Sequence, residues 1–288
     1  MKEDIIMHVF VTGATGYIGS AVVRELISAG HTVTGLCRSE EKAAGLQAAG
    51  AEALYGTLDD LDTLRSAAAA ADGVIHLAFT NDFSNFEGAL ALDLRAVEAM
   101  GTALEGSGKP FITTAHANGY AIDDAVLAMT ERGIRAAIVS LSPSVHGEGD
   151  SGFIPMMINI ARAKGFAAYI GDGTNCWPAV HRLDAAVLYR LALESAPAGS
   201  QLLGAGDEGI PLREIAEVIG RQLNVPAVSI TPEEAAAHFG FLGTIAAFDI
   251  TSLYNTAQAS LATRELLGWK PVQPGLISDL EEGHYFVF

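Results

Sequence analysis

The stretch Val9–Ser20, VFVTGATGYIGS, decides the fold. Val9, Phe10, Val11 and Thr12 are β-branched or aromatic and predict a short buried strand. The run breaks at Gly13, and an apolar helical pattern starts at Tyr17. Glycines 13, 16 and 19 therefore fall where a strand becomes a helix, the context in which such a triplet predicts a dinucleotide site. Gly13 permits the tight turn, Gly16 lets a pyrophosphate approach the backbone, and Gly19 lets the helix pack closely on the strand. The helix N-terminus offers free N–H groups and the positive end of its dipole to the phosphates. A glycine-rich turn with a purely structural role is the competing reading.

Outward from this stretch, strand and helix patterns alternate. Strands are expected near 9–12, 32–36, 51–55, 73–77, 110–114 and 136–141, and helices over 17–29, 40–49, 60–70, 85–104 and 123–132. That order predicts an α/β fold, a Rossmann-type doubly wound parallel sheet with right-handed crossovers and helices on both faces. Gly30, Gly50, Gly73, Gly108 and Gly133 each read as a helix stop before a strand. The second half has helical patterns at 153–164, 183–193, 212–223, 232–239 and 257–267, with short strands at 201–204 and 227–230, and no alternating sheet of its own. It reads as a smaller mixed C-terminal substrate lobe capping the C-terminal edge of the sheet. Residues 1–143 are then the dinucleotide-binding core, with 183–204 returning to it, and 144–182 and 205–288 form the lobe.

The 288 residues carry 17 Lys and Arg against 34 Asp and Glu, a formal net charge of −17. Such a surface repels nucleic acid and anionic membranes, so neither is expected as a partner. An anionic cofactor must be held by local dipoles and a few placed cations. Cys37 and Cys176 show no metal-ligand spacing and suit a reduced, cytoplasmic compartment. No apolar run reaches membrane-span length, and the opening MKEDIIM lacks the pattern of a signal peptide. Residues 1–6 read as an extension ahead of the first strand.

TGATGYIGS at 12–20, VIHLAF at 74–79 and GDGTNCWPAVHRLDAA at 171–186 together resemble the short-chain dehydrogenase/reductase superfamily. More narrowly they are similar to its extended and atypical branch, the sugar-nucleotide epimerase/dehydratase-like proteins, whose His-Val-Asp-Asp segment His181-Arg182-Leu183-Asp184 resembles. The resemblance implies NAD(P)-dependent redox chemistry on a small-molecule substrate and, often, a homodimer. Gly13, Thr15, Gly16, Tyr17, Ile18 and Gly19 would form the pyrophosphate turn, and Leu77, Ala78 and Phe79 the adenine and ribose side. Thr57-Leu58 stands where the family has Asp and an aliphatic residue near the adenine, so Leu58 carries over and the acid does not. At the end of the second strand an NAD site places an acid on the ribose 2′-hydroxyl; here Arg38 and Ser39 suit a 2′-phosphate instead. The expected cofactor is therefore NADP, ahead of NAD.

The superfamily's catalytic pattern is a Tyr followed four residues later by Lys, with a nearby Ser or Thr. Here Tyr120 is followed by Asp124, whose carboxylate would raise a tyrosine pKa rather than lower it. Thr113 and Thr114 supply hydroxyls, while the position aligned with the family's Ser or Thr falls on Ala115 or Ala117. The segment between the fifth strand and the next helix is also short for the family. Either the loop is naturally shortened, or residues are absent between Ala115 and Gly119, which would stretch consecutive Cα atoms beyond 3.8 Å. Tyr120, Thr114 and His146 are the catalytic candidates, with His116 or a water as other proton donors. Pro143 and Val145 would lie against the nicotinamide, with His146 facing substrate or capping local backbone. His146, Glu148 and Asp150 alternate in a glycine-rich loop without a partner cluster, so no metal is expected. Trp177 and His181 would shape a cleft wall, and Asp184 would stabilise a helix start. These readings converge on an NADP(H)-dependent oxidoreductase acting on a small carbonyl or alcohol. The alternatives are a non-catalytic NADP(H)-binding sensor or scaffold, and a sugar-nucleotide epimerase or dehydratase.

Overall fold

A computed structural model describes residues 6–80, 85–115, 121–243, 249–282 and 284–286. Tyr120 and His116, and the chain spacing between Ala115 and Gly119, lie outside the described residues. Two compact units emerge: residues 1–140 with 185–202 and 266–269, and residues 141–184 with 203–265 and 270–288.

In chain order the strands are β1 (His8–Thr12), β2 (Thr32–Cys37), β3 (Glu52–Tyr55), β4 (Gly73–His76), β5 (Pro110–Thr114), β6 (Arg135–Leu141), β7 (Ser144–His146), β8 (Ala167–Ile170), β9 (Cys176–His181), β10 (Ser200–Gly204), β11 (Asp207–Pro211) and β12 (Ala227–Ile230). The helices are α1 (Tyr17–Ser28), α2 (Glu40–Ala48), α3 (Leu61–Ala70), α4 (Phe86–Leu104), α5 (Ala121–Ala128), α6 (Phe153–Lys164), α7 (Arg182–Ser195), α8 (Leu212–Leu223), α9 (Pro232–Phe239), α10 (Ile250–Tyr254), α11 (Thr256–Leu267) and α12 (Leu276–Glu281).

The first unit is built on a seven-stranded sheet of order β10-β6-β5-β4-β1-β2-β3, in which β1 to β6 run parallel. Alternation along the strands makes it a middle layer. Phe10, Val74, Phe111 and Ile138 enter a core with Leu64, Val97, Met100 and Val126 from α3, α4 and α5. On α1 and α7, Glu25 and Arg190 pair at 2.7 Å. Carbonyls at the C-terminal end of α7 accept from the Arg135 guanidinium of β6, at 3.4 Å for Ala192 and 2.5 Å for Leu193, as does Ala196 just beyond the helix at 2.9 Å. Strand order reverses between β1 and β4, and their C-terminal ends open at this switch point, where α/β sheets bind ligands.

Two elements depart from the expectation here. Gly73 is not a helix stop: it is the first residue of β4, and a Cβ there would meet Pro110 Cγ at 2.7 Å and Leu193 Cδ1 at 2.9 Å. The helix expected through Arg132 ends at Ala128 and tightens into a 3₁₀ turn over Met129–Arg132, closed by Gly133 at φ 72°.

The second unit does have sheets of its own: a three-stranded sheet β11-β9-β7 and a parallel pair β12-β8. Strands β7, β8, β9 and β11 escape the sequence pattern because they are short and carry Ala, Gly, Pro, Ser and His rather than β-branched runs. Their core gathers Trp177, Ile154, Ile158, Ile215, Ile219, Leu276 and Leu280. Cys37 and Cys176 are both free thiols. Among the described residues, no helix is long and apolar enough to cross a membrane.

Candidate functional site: a dinucleotide turn and two hydroxyl-bearing relays

Gly13 follows β1 in the left-handed region, φ 66°, and a Cβ on it would lie 2.7 Å from Ala78 N and from Leu77 C. Gly19 is tighter still, since its Cβ would fall 2.0 Å from the Gly13 carbonyl oxygen, on rigid backbone. Gly16 differs: it is exposed, and the nearest atom to its Cβ is Gly13 O at 3.2 Å. The first and third glycines thus let β1, the β4 end and α1 converge, while the second leaves open space above the turn. Gly16 also caps α1 without a side-chain hydrogen bond, and the first turn of α1 holds no acid. The positive end of its dipole favours an anion there. Ala14 is accommodated because β2 has Gly35 opposite, where a Cβ would sit 2.9 Å from Ala14 Cβ. Thr15, Tyr17 and Ile18 line this turn half-buried, and Leu77, Ala78 and Phe79 continue from β4, also half-buried.

Directly below the turn runs a buried polar chain. Thr12 Oγ1 lies 2.6 Å from His76 Nδ1, and His76 Nε2 lies 2.8 Å from Asp93 Oδ1 on α4. Thr12 Oγ1 also accepts from Leu77 N at 3.2 Å and Ala78 N at 3.3 Å.

Arg38 follows β2 and is exposed, and no hydrogen bond or ion pair engages it among the described residues. Ser39 caps α2, accepting from Lys42 N at 3.4 Å. Thr57 is held by Asp60, its N–H 2.8 Å from Oδ2, and Leu58 turns into the core, where it packs rather than lines a surface.

Thr114 ends β5 half-buried, with Oγ1 2.6 Å from the hydroxyl of Tyr189 on α7. Tyr189 is fully buried, and burial pushes its phenol well above the usual tyrosine value. It is therefore a neutral hydroxyl. The two hydroxyls share one hydrogen bond in which either can donate; with the phenol as donor, Thr114 keeps its own hydrogen for another partner. Asp124, in the place of the family's Lys, is exposed in the first turn of α5, where an acid favours the helix dipole.

Pro143, Val145 and His146 belong to the second unit. Val145 is half-buried and pairs in register with Val180. His146, read as facing substrate or capping local backbone, does neither: it is 1% exposed, with Nδ1 bound to Asp279 Oδ2 at 2.6 Å and its ring edge-on to His181. Burial and the neighbouring His146 hold the His181 imidazole below its ordinary value. Tyr285 donates to Asp150 at 2.8 Å and accepts from Gly147 N at 3.2 Å, so the C-terminal segment fastens this loop. Trp177 is not a cleft wall: it is buried with its ring against Phe153. Asp184 does more than steady a helix start, accepting from both Val272 N and Gln273 N at 3.0 Å. Among the described residues no three His, Cys, Asp or Glu side chains converge as a metal site.

The profile of the NAD(P)H-binding family matches residues 13–171. The chain belongs to that family. An uncharacterized protein of Schizosaccharomyces pombe is 46% identical over 301 residues, covering 97% of this chain and 100% of the relative. Those 301 aligned positions exceed this chain's 288 residues, so the relative carries residues without a counterpart here. A 4-hydroxy-2-methyl-3-oxo-4-farnesyl-3,4-dihydroquinoline-1-oxide ketoreductase of Stigmatella aurantiaca is 27% identical, over 81% of this chain and 80% of that one. Among solved structures, a UDP-glucose 4-epimerase from Stenotrophomonas maltophila with bound NAD superposes at TM-score 0.70, with 18% identity and 97% of both chains covered, a likeness of fold. The resemblance to the extended and atypical short-chain dehydrogenases is thus borne out.

The turn of this NAD(P)H-binding chain fits its cofactor: close backbone where Gly13 and Gly19 pack, space above Gly16, and an uncapped helix end. Sequence reasoning missed Asp93, Tyr189 and Asp279. His76 stood inside the quoted VIHLAF motif, a signal for its strand end, but nothing local marked the three partners.

Proposed function

We propose that the protein is an NADP(H)-dependent oxidoreductase acting on a small carbonyl or alcohol. The observation that carries the cofactor choice is Arg38. It stands at the end of β2, exposed and without a described partner, where an NAD site would place an acid. A guanidinium there grips a 2′-phosphate through charge-assisted bonds of about 1.5–3 kcal/mol, roughly a ten- to hundredfold preference.

When bound, the nicotinamide supplies or takes up two electrons and a hydrogen at carbon. The chain's own part is to bind and orient. The α1 N-terminus and the N–H groups around Gly16 hold the pyrophosphate. With the Tyr189 phenol donating to its oxygen, one of the two directions that the 2.6 Å contact allows, Thr114 turns its remaining hydrogen to a substrate oxygen and stabilises charge developing there. The ketoreductase name of one relative supports a carbonyl substrate. An epimerase or dehydratase is less favoured, because Asp124 stands where the Tyr–Lys pattern needs its Lys.

Titration with NADPH and NADH, followed by turnover on a panel of aldehydes and ketones, tests this reading. Arg38→Ala should shift the affinity ratio toward NADH by about tenfold or more. An unchanged ratio would sink the NADP(H) assignment. Tight binding without turnover on any carbonyl would favour the non-catalytic sensor.

A further inference from the structure

We propose that His76 and Asp93, acting through Thr12, are positioning residues for dinucleotide binding. The proposal rests on the cofactor reading above, though not on the choice of NADPH over NADH. Hydrogen bookkeeping gives the chain a direction. Thr12 Oγ1 receives two backbone N–H groups, from Leu77 at 3.2 Å and Ala78 at 3.3 Å, so both its lone pairs are engaged. Its own hydrogen must go to His76 Nδ1, 2.6 Å away, which therefore has to be the unprotonated ring nitrogen. The ring proton then sits on Nε2 and is donated to Asp93 Oδ1 at 2.8 Å. Asp93 thereby fixes the tautomer of His76, and His76 fixes the rotor of Thr12.

That rotor matters because of what its oxygen holds. Leu77 and Ala78 are the residues on which Gly13 packs, with 2.7 Å left between Ala78 N and the point where a Cβ on Gly13 would lie. Thr12 immediately precedes Gly13, and Gly19 packs in turn on the Gly13 carbonyl. Beyond the β1–β4 ladder, in which Leu77 N–H also donates to the Thr12 carbonyl at 3.3 Å, this hydroxyl adds a side-chain tie that reaches Ala78 at the switch point and helps set how far apart the two sides of the turn stand. Thr12, His76 and Asp93 are each at most 2% exposed, so water cannot substitute for a lost partner. A slackened Thr12 lets the Leu77-Ala78 backbone drift from the turn and misplaces the N–H groups meant for the pyrophosphate.

The test is a fluorescence titration with whichever of NADPH and NADH the wild type binds more tightly, with thermal midpoints measured in parallel. Thr12→Ser keeps the oxygen and should stay within about twofold of wild-type Kd; Thr12→Val, of nearly the same shape, should raise Kd about tenfold while remaining folded. Asp93→Asn retains an acceptor for the Nε2 proton and should lie near wild type, whereas Asp93→Ala should weaken binding severalfold. A merely structural role would lower the midpoint and leave the Kd of the folded protein unmoved. A folded Thr12→Val with Kd within about twofold of wild type therefore overturns the proposal. So does a Thr12→Ser as weak as Thr12→Val. If Thr12→Val does not fold, the Asp93 pair decides by the same comparison. A wild type that binds neither dinucleotide overturns the cofactor reading itself, which is a different result from a binding wild type matched by its variants.

Discussion

His146 Nδ1 and Asp279 Oδ2 stand 2.6 Å apart, joining residues separated by 133 positions in the chain. Asp279 also faces His284 Nδ1 at 3.3 Å through its other oxygen. The imidazole is 1% exposed, so its Nδ1 cannot turn to water if the carboxylate is removed. Asp279→Ala should therefore destabilise the protein by about 1.5–3 kcal/mol, the range for a lost hydrogen bond to a charged group. Asp279→Asn, which preserves an acceptor, should lose less. Urea unfolding of the two variants measures this, and equal losses would show that the side chain's volume matters rather than its oxygen.

The three glycines of the turn should separate into two classes. Gly19→Ala places a methyl 2.0 Å from the Gly13 carbonyl oxygen, so α1 must move, at about 1–3 kcal/mol. Gly16→Ala meets its nearest neighbour at 3.2 Å from an exposed position with φ −76°, which alanine adopts freely. It should leave the thermal midpoint nearly unchanged while its methyl occupies the space above the turn and weakens NADPH binding by about tenfold or more. Calorimetry beside a binding titration distinguishes them. If both variants keep their affinity, the turn does not hold a pyrophosphate.

Thr114 and Tyr189 should behave as one unit. Thr114→Val strands a fully buried phenol whose described partner is Thr114, at about 1–3 kcal/mol. Tyr189→Phe removes the donor together with its need, so adding Thr114→Val to it should cost little further stability. Catalysis should follow the same order: Thr114→Val should lower kcat strongly, and Tyr189→Phe more mildly, by loosening the hydroxyl that it orients. Additive losses in both stability and kcat would mean that the 2.6 Å contact couples nothing.

The contrast between these sites explains what the sequence could reveal. The glycine turn, the β2 end at Arg38 and the alternation of the first six strands are local: each is encoded within one strand, its turn and the next helix, where periodicity and glycine placement report directly. The partners of Thr114 and His146 are not local. Tyr189 lies 75 residues from Thr114, and Asp279 lies 133 from His146. Each sits among ordinary helix residues, and only the packed fold supplies its meaning. Strands β7, β8, β9 and β11 were illegible for another reason. Residues such as Ala167-Ala168-Tyr169-Ile170 have no polar alternation, because pairing with Ala227–Ile230 and packing under α8 and α6 decide their conformation.

His238 makes stability depend on pH. It lies in the last turn of α9, 7% exposed, with its ring 4.8 Å from that of Phe166 and 4.6 Å from that of Phe239, and its buried Nε2 has no hydrogen-bond partner among the described residues. Burial, and secondarily Lys164, hold its imidazole below the ordinary value. In the unfolded chain the same ring titrates near about 6.5, so below that pH the unfolded state binds a proton that the folded state refuses. The neutral ring is therefore tolerated in full above about pH 6.5, and stability falls as pH drops below it, by at most about 1.4 kcal/mol per pH unit until the folded value is reached. His238→Phe fills the same aromatic pocket without a titrating group and should flatten this slope. Unfolding free energies of wild type and variant at about pH 7.5 and about pH 5.5 give the comparison. His181, also held low, is present in both proteins and cancels in the difference. Parallel pH profiles for the two would mean that the acid sensitivity arises elsewhere.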